Sequence, residues 1–276
     1  MTERNPEFIE ALARGIDVIT AFGSAPRALS LSDVAAAAGL ARPTARRILL
    51  TLVDLGYVRV VDGAFSLTPR VLDLGLAYVS SSSIWELTRP HLVDLVTETN
   101  ESCSVAQLDG ADIVYVARVA VPKLVALSVS IGTRFPAAPT SLGKVLLAAV
   151  PPTELDAVLA TASRSDVAAT WRPDRADLDE VLRDVRARGW AATDQQLAPA
   201  IRSIAAPIRN SAGEVVAAVN INAHAFETSM ETLVDEHLPK LLRTASEISA
   251  DWARWESLPA HRVPAGSPAT ASGAQR

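Results

Sequence analysis

The sequence predicts an α+β protein in two parts: a small helical unit closed by a β-hairpin, and a larger unit built on a mostly antiparallel sheet. Two changes of pattern and the length carry that reading. Helical periodicity runs to about residue 55 and then gives way to two short strand-like runs, 57–61 and 64–67, around Asp62-Gly63, a two-residue hairpin signal. From Ser102 the chain becomes strand-like, with helical stretches grouped between the strands, as when helices lie on an antiparallel sheet. The 276 residues are 49% hydrophobic and 21% charged, a globular composition and more chain than one ordinary domain needs.

The elements follow in order. Over 8–22, Phe8, Leu12, Ile16, Ile19 and Phe22 fall on one side of a helix. Ser30 and Asp33 flank the start of a second helix, 31–38, as a capping box with Asp in place of Glu, and Gly39 supplies the turn after it. Pro43 suits the start of a third helix, which runs to about Leu55 with Ala45, Ile48, Leu49, Leu52 and Val53 inward. Thr44, Arg47, Thr51 and Asp54 take the opposite face, with Arg46 beside them. Helix, glycine turn, helix and hairpin is the layout of a winged helix-turn-helix. No acid lies between Val34 and Val53, whereas Arg42, Arg46 and Arg47 crowd six positions. Residues 1–80 carry eight basic and eight acidic side chains, so the net charge of −5 belongs wholly to the rest of the chain. A basic stripe on a neutral module suits DNA. A three-helix module that binds protein is the alternative.

Residues 69–83 read as a linker helix with Val71, Leu72, Leu74, Leu76, Tyr78 and Val79 spread around it, apolar enough to need a domain or a second copy against it. Ser80 to Ser83 mark its junction with a helix over 84–100. Strands are expected at 102–108, 112–119, 124–131, 201–209 and 214–223, and helices at 141–149, 153–161, 177–188 and 229–254. The domain reading is therefore 1–68, a linker helix 69–83, a second domain 84–255, and a disordered tail 256–276 rich in Pro, Ala, Ser and Gly.

The chemistry of an enzyme is not visible. Cys103 is the one cysteine, and His91, His224, His237 and His261 are scattered, which suits neither a disulfide framework nor a metal site. Ser141-Leu142-Gly143-Lys144 has Val145 where a phosphate loop needs Ser or Thr, and no G-x-S-x-G elbow occurs. No catalytic residue, metal or cofactor is expected, although an enzyme fused to a DNA-binding module stays open. The charged start MTERNPEFIE is no secretory signal and no apolar run reaches membrane-span length, so a cytoplasmic protein without membrane contact is expected. One strand carries an oddity. In 218–222, Asn220 and Asn222 share one face while Val219 and Ile221 take the other, and asparagine is depleted in strands. A solvent-facing edge or a binding site would each explain the pair.

The stretches ALARGIDVITAF, GLARPTARRILLTLVDLGYV, FSLTPRVLDLG, IGTRFPAAPTSLGKVLLA and IRSIAAPIRNSAGEVVAAVNINAH, in this order, resemble the IclR family of bacterial transcription regulators over about residues 8–255. Within that family RPTARRILLTL, SLTPRVLDLG and DGADIVYVARV look most like regulators of protocatechuate and para-hydroxybenzoate catabolism, the β-ketoadipate pathway. The resemblance implies a winged helix, a linker helix and a GAF-like effector domain, in dimers or tetramers on a palindromic operator. Arg42, Thr44, Arg46, Arg47 and Thr51, with Arg59 and Gly63 of the wing, are then the expected DNA-contacting residues. Ala41 departs from the serine that commonly caps this helix in relatives, a loss of about 1 kcal/mol at the helix end. The implied effector is a small aromatic or keto carboxylic acid. Asn220 and Asn222 match ligands of its carboxylate, Ser203 a polar pocket position, and Ser141 and Leu142 the lining turn, with Ala218 among the walls. Thr193 stands where some relatives carry an aspartate, with Asp194 next to it. Amides and hydroxyls, joined by backbone N–H groups near 141–143, are expected to hold the acid without a fixed cation. Asp194 either accepts from a ligand hydroxyl or lies outside the cavity.

Overall fold

In the N-terminal unit, three helices and a hairpin enclose Val18, Phe22, Val34, Leu49, Leu52, Val58 and Phe65. The structure is a computed structural model that describes residues 6–24, 28–75, 84–122 and 129–257, without the side chains of Ile84 and Trp85. It divides into two units, Met1–Ser82 and Ser83–Arg276. In the first, α1 (Glu10–Ala21), α2 (Leu31–Ala37) and α3 (Arg42–Asp54) precede β1 (Val58–Val61) and β2 (Ala64–Leu67). The Ser30 and Asp33 capping box forms in both directions. Asp62 and Gly63 both adopt positive φ, 51° and 78°, which is what a two-residue hairpin turn requires. Leu29 and Phe65 exchange backbone hydrogen bonds, tying the entry of α2 to the wing.

The apolar face of α1 is only partly covered. Val18, Ala21 and Phe22 are buried, whereas Phe8, Leu12 and Ile16 are 48%, 62% and 54% exposed. The apolar stripe is real, but only its C-terminal end reaches this core. Of the linker segment, Pro69–Val71 forms a 3₁₀ turn capped by the Thr68 hydroxyl, and 72–75 is helical. The remainder of the expected linker helix, 76–83, lies outside the described residues.

The second unit is a six-stranded, wholly antiparallel sheet in the order β5-β4-β3-β8-β7-β6. Its strands are β3 (Ser102–Asp109), β4 (Asp112–Val119), β5 (Arg134–Pro136), β6 (Ala191–Asp194), β7 (Ile201–Arg209) and β8 (Val215–His224). One face carries α4 (Ile84–Thr99) and α8 (Leu238–Ser257) on a core of Leu92, Leu95, Val105, Ile204, Val219, Ile221, Leu241 and Ile248. The other carries α5 (Ser141–Ala149) and α7 (Arg175–Arg188), packed through Leu142, Leu146, Leu147, Leu178 and Leu182 on Tyr115, Phe135 and Ala218, with α6 (Pro152–Leu159) at its margin. The edge strands β5 and β6 are additions to the expected set. Of the expected strand 124–131, residues 124–128 lie outside the described residues and 129–131 are not strand. The expected helix 229–254 is broken into a turn at Met230–Thr232, a π-helical turn at Leu233–His237 and α8. The tail beyond 257 lies outside the described residues.

Candidate functional site

Two surfaces carry the candidate residues, one in each unit. On α3 the inward positions are Ala45, Leu49 and Leu52, which turns Arg42, Arg46, Arg47 and Thr51 to solvent and leaves Thr44 half-buried. The Thr51 hydroxyl is spent on the Arg47 carbonyl one turn back. Ala41 provides no side-chain cap, as its methyl dictates. Thr44, Arg47 and Thr51 also border a groove of about 660 Å³ between α1 and α3, floored by Leu12, Ile16, Ile48 and Leu55. The outward face of α3 is therefore basic on one flank and apolar on the other. In the wing, Arg59 is exposed and donates from Nε to Ser66 Oγ across the hairpin at 3.1 Å, beside the Gly63 turn.

In the second unit the cross-strand register sets the site. Ser102, Asn222, Ser203 and Thr193 pair in one row across β3, β8, β7 and β6. The next row runs Arg118, Ser104, Asn220, Ala205. Paired residues point to the same face, and Ala106, Ala205 and Ala218 place that face against α5. Asn220 is 2% exposed on β8, between β3 and β7, which removes the reading of the asparagines as a wet sheet edge. Asn220 Nδ2 donates to Ser203 Oγ at 3.2 Å, and Ser203 Oγ lies 2.6 Å from Ser141 Oγ. Burial pushes the Tyr115 phenol up to about 12, a rise that the nearby Arg118 charge and Asn222 side chain oppose. The structure thus gathers Ser141, Leu142, Thr193, Ser203, Ala218, Asn220 and Asn222 on one face.

Asp194 does not join them. Following Thr193 on β6 it faces the other way, where the Arg202 guanidinium binds it at 2.8 Å and holds its carboxyl below the usual range. Its side chain points away from the face that carries Thr193, Ser203 and Asn222. The expected backbone donor at Gly143 is also committed, because its N–H caps onto Thr140 Oγ1.

One residue was missed from the sequence. Arg118 is half-buried, donates from Nη1 to Ser104 Oγ at 2.9 Å, and has no carboxylate partner among the described residues. Desolvation lowers its pKa, the mark of a cation held where its charge is costly. A cation beside hydroxyls and amides on an otherwise apolar face is chemically able to hold a small anion. No group of His, Cys, Asp and Glu side chains that would hold a metal occurs among the described residues. Burial pushes the Cys103 thiol far up, which leaves it inert.

A winged helix-turn-helix followed by a sheet domain with an enclosed polar site defines a DNA-binding regulator with a sensing domain. Comparison with known proteins agrees. The IclR helix-turn-helix domain matches residues 11–62, and the bacterial transcriptional regulator IclR C-terminal domain matches residues 76–250. The chain belongs to the IclR family of transcription regulators. It is 36% identical to the Pca regulon regulatory protein of Pseudomonas putida over 88% of this chain and 84% of that one. Among solved structures it is similar to RHA06195 from Rhodococcus sp. RHA1, at 47% identity and a TM-score of 0.77, covering 90% of this chain and 100% of that chain. An IclR homolog of Microbacterium hydrocarbonoxydans complexed with 4-hydroxybenzoate shares the fold at 24% identity and a TM-score of 0.74, over 89% and 100% of the two chains.

Proposed function

We propose that this regulator's hold on its operator is set by a small carboxylic acid, an aromatic or keto acid of aromatic catabolism, bound on the α5 face of the sheet. The observation that carries the reading is Arg118, a half-buried guanidinium with no carboxylate partner among the described residues, on the same sheet face as buried Ser104, Asn220 and Ser203. The name of the Pseudomonas putida relative and the 4-hydroxybenzoate held by a homologous fold favour the aromatic class. Residues 1–68 act as the DNA-binding domain, 69–83 as the linker helix and 84–255 as the effector domain. Two copies pair through the first unit on a palindromic operator. The protein works in the cytoplasm and turns over no substrate.

The test is a gel shift with the chain's own upstream DNA, alongside thermal melting with a panel of aromatic and keto acids. A ligand at 100 times its Kd adds about 2.7 kcal/mol to the unit that binds it. One acid is expected both to raise the melting temperature and to change operator affinity. Melting shifts with no effect on DNA binding, or no response to any acid, would overturn the proposal.

A further inference from the structure

One large apolar side chain stands on the outermost ridge of α3. Successive residues of a helix are about 100° apart, so Pro43, Arg47, Leu50 and Asp54, at steps of four, three and four, fall in one line. That line runs opposite the inward stripe of Ala45, Leu49 and Leu52, and all four of its residues are exposed. Leu50 is 40% exposed and belongs neither to the core of the first unit nor to the groove beside α1. Thr44, Ile48, Thr51 and Leu55 border that groove from the flank of α3 turned away from Leu50, so what fills the groove does not thereby cover it.

A lone exposed leucine is ordinary on a protein surface. On this ridge it has a consequence, because the outward face of the second helix is what a helix-turn-helix lays in the major groove. Asp54, one turn beyond Leu50, has no ion-pair partner among the described residues, and phosphates repel its carboxylate. The ridge therefore enters the groove by its N-terminal length, with Leu50 as the last side chain to go in. The apolar feature that a base pair shows in the major groove is the C5-methyl of thymine, whereas cytosine presents an amino donor.

We infer that Leu50 reads a thymine methyl and so distinguishes T·A from C·G at one position of each half-site. At 1.5 Å per residue, Arg47 and Leu50 are about 4.5 Å apart along the helix axis, against about 3.4 Å between base pairs. The thymine thus lies one or two base pairs from the pair that Arg47 contacts. The inference rests on α3 as the helix that enters DNA and is independent of the effector reading.

The test uses the full chain and fluorescence anisotropy on its own upstream duplex, synthesised once with thymine and once with uracil, which pairs identically and lacks only the methyl. At constant salt the wild type is expected to bind the uracil duplex about fourfold more weakly for each methyl that Leu50 covers. Leu50→Ala is expected to bind the thymine duplex more weakly by a similar factor and to lose the preference between the two. Replacing thymines singly is expected to confine the loss to positions one or two base pairs from a pair to which Arg47→Ala has become indifferent. Equal binding of both duplexes by the wild type would overturn the inference, and so would a preference for thymine that Leu50→Ala keeps in full. A smaller mass for Leu50→Ala in light scattering would assign the side chain to self-association instead. A wild type that binds neither duplex is a different failure, which removes α3 as the DNA-entering helix and the inference with it. Should Leu50→Ala not fold, the single-uracil scan of the wild type decides alone.

Discussion

Gly143 shows how a single position is fixed by packing where its neighbours suggest chemistry. In sequence it belongs to a fragment resembling a phosphate loop, yet a Cβ there would sit 2.0 Å from the Ala137 carbonyl oxygen and 2.4 Å from the carbon. Backbone cannot swing aside as a long side chain can, so Gly143→Ala is expected to cost at least about 2 kcal/mol, as overpacking does. Differential scanning calorimetry should show the second unit melting several degrees lower, and an unchanged melting point would mean that α5 has room to move. Arg47 is the opposite case, an exposed side chain with no ion-pair partner among the described residues. An arginine that reads a base contributes about 1–3 kcal/mol, so Arg47→Ala is expected to weaken operator binding about tenfold at constant salt with the melting temperature unmoved. Equal affinity of the two proteins would take Arg47 out of recognition. Between these lies Lys144, buried against Trp171 with its ammonium 4.5 Å from the ring centre and bonded to Gln196 Oε1. Burial, aided by Arg188, lowers it from 10.5 to about 8. Above pH 8 the folded protein has released a proton that the unfolded chain keeps to about 10.5. Stability from this group therefore rises with pH across that window. Relative to Lys144→Met, the wild type should gain on the order of 2 kcal/mol between pH 7.5 and 10 in urea titrations. A constant difference would show that Lys144 titrates normally.

At the scale of elements, legibility followed periodicity and failed where periodicity is broken. The helices of the first unit and strands β3, β4, β7 and β8 were readable because their apolar spacing matches what the core demands. Arg118 was not. In a regular strand Tyr115 and Arg118, three apart, point to opposite faces. In β4 an extra residue is inserted where Val105 pairs with Ala117 and Ala106 with Tyr115, which turns Val116 and Ala117 both toward the α4 and α8 core. That bulge places Tyr115 and Arg118 on the same face, and no alternation rule finds it. β6 escaped notice for a different reason. Its sequence, Ala191-Ala192-Thr193-Asp194, has little β-propensity, and it is a strand because β7 offers it a free edge. Thr193 and Asp194 show the consequence, since only the pairing decides which of two adjacent polar residues turns to the α5 face. The Asn220 and Asn222 pair was visible as an anomaly, but its meaning depended on β8 lying inside the sheet.

Whole-molecule behaviour turns on the apolar surface that the first unit does not bury. Phe8, Ile9, Leu12 and Ile16 of the α1 segment are each about half exposed or more, and so are Leu55, Leu72 and Leu74. Sequence periodicity shows the stripe on α1 without showing which part of it this core covers, because a 3.6-residue period reports an apolar face and not its partner. On the pairing proposed above, a second copy would cover it. One recognition helix reads too few base pairs for genomic specificity, and a two-fold pair at fixed spacing supplies the rest. Leu12 and Ile16 line the groove beside α3, so pairing there would also fix the separation of the two recognition helices. Replacing them with charge is expected to leave the unit folded, since neither belongs to its buried core. Light scattering at micromolar concentration should therefore show at least a dimer for the wild type and a smaller assembly for Leu12→Glu, Ile16→Glu. Operator affinity should fall by well over tenfold as the two half-sites cease to be held together. If the double variant keeps both its mass and its affinity, the exposed stripe serves something other than self-association, and the pairing of the recognition helices must come from another part of the chain.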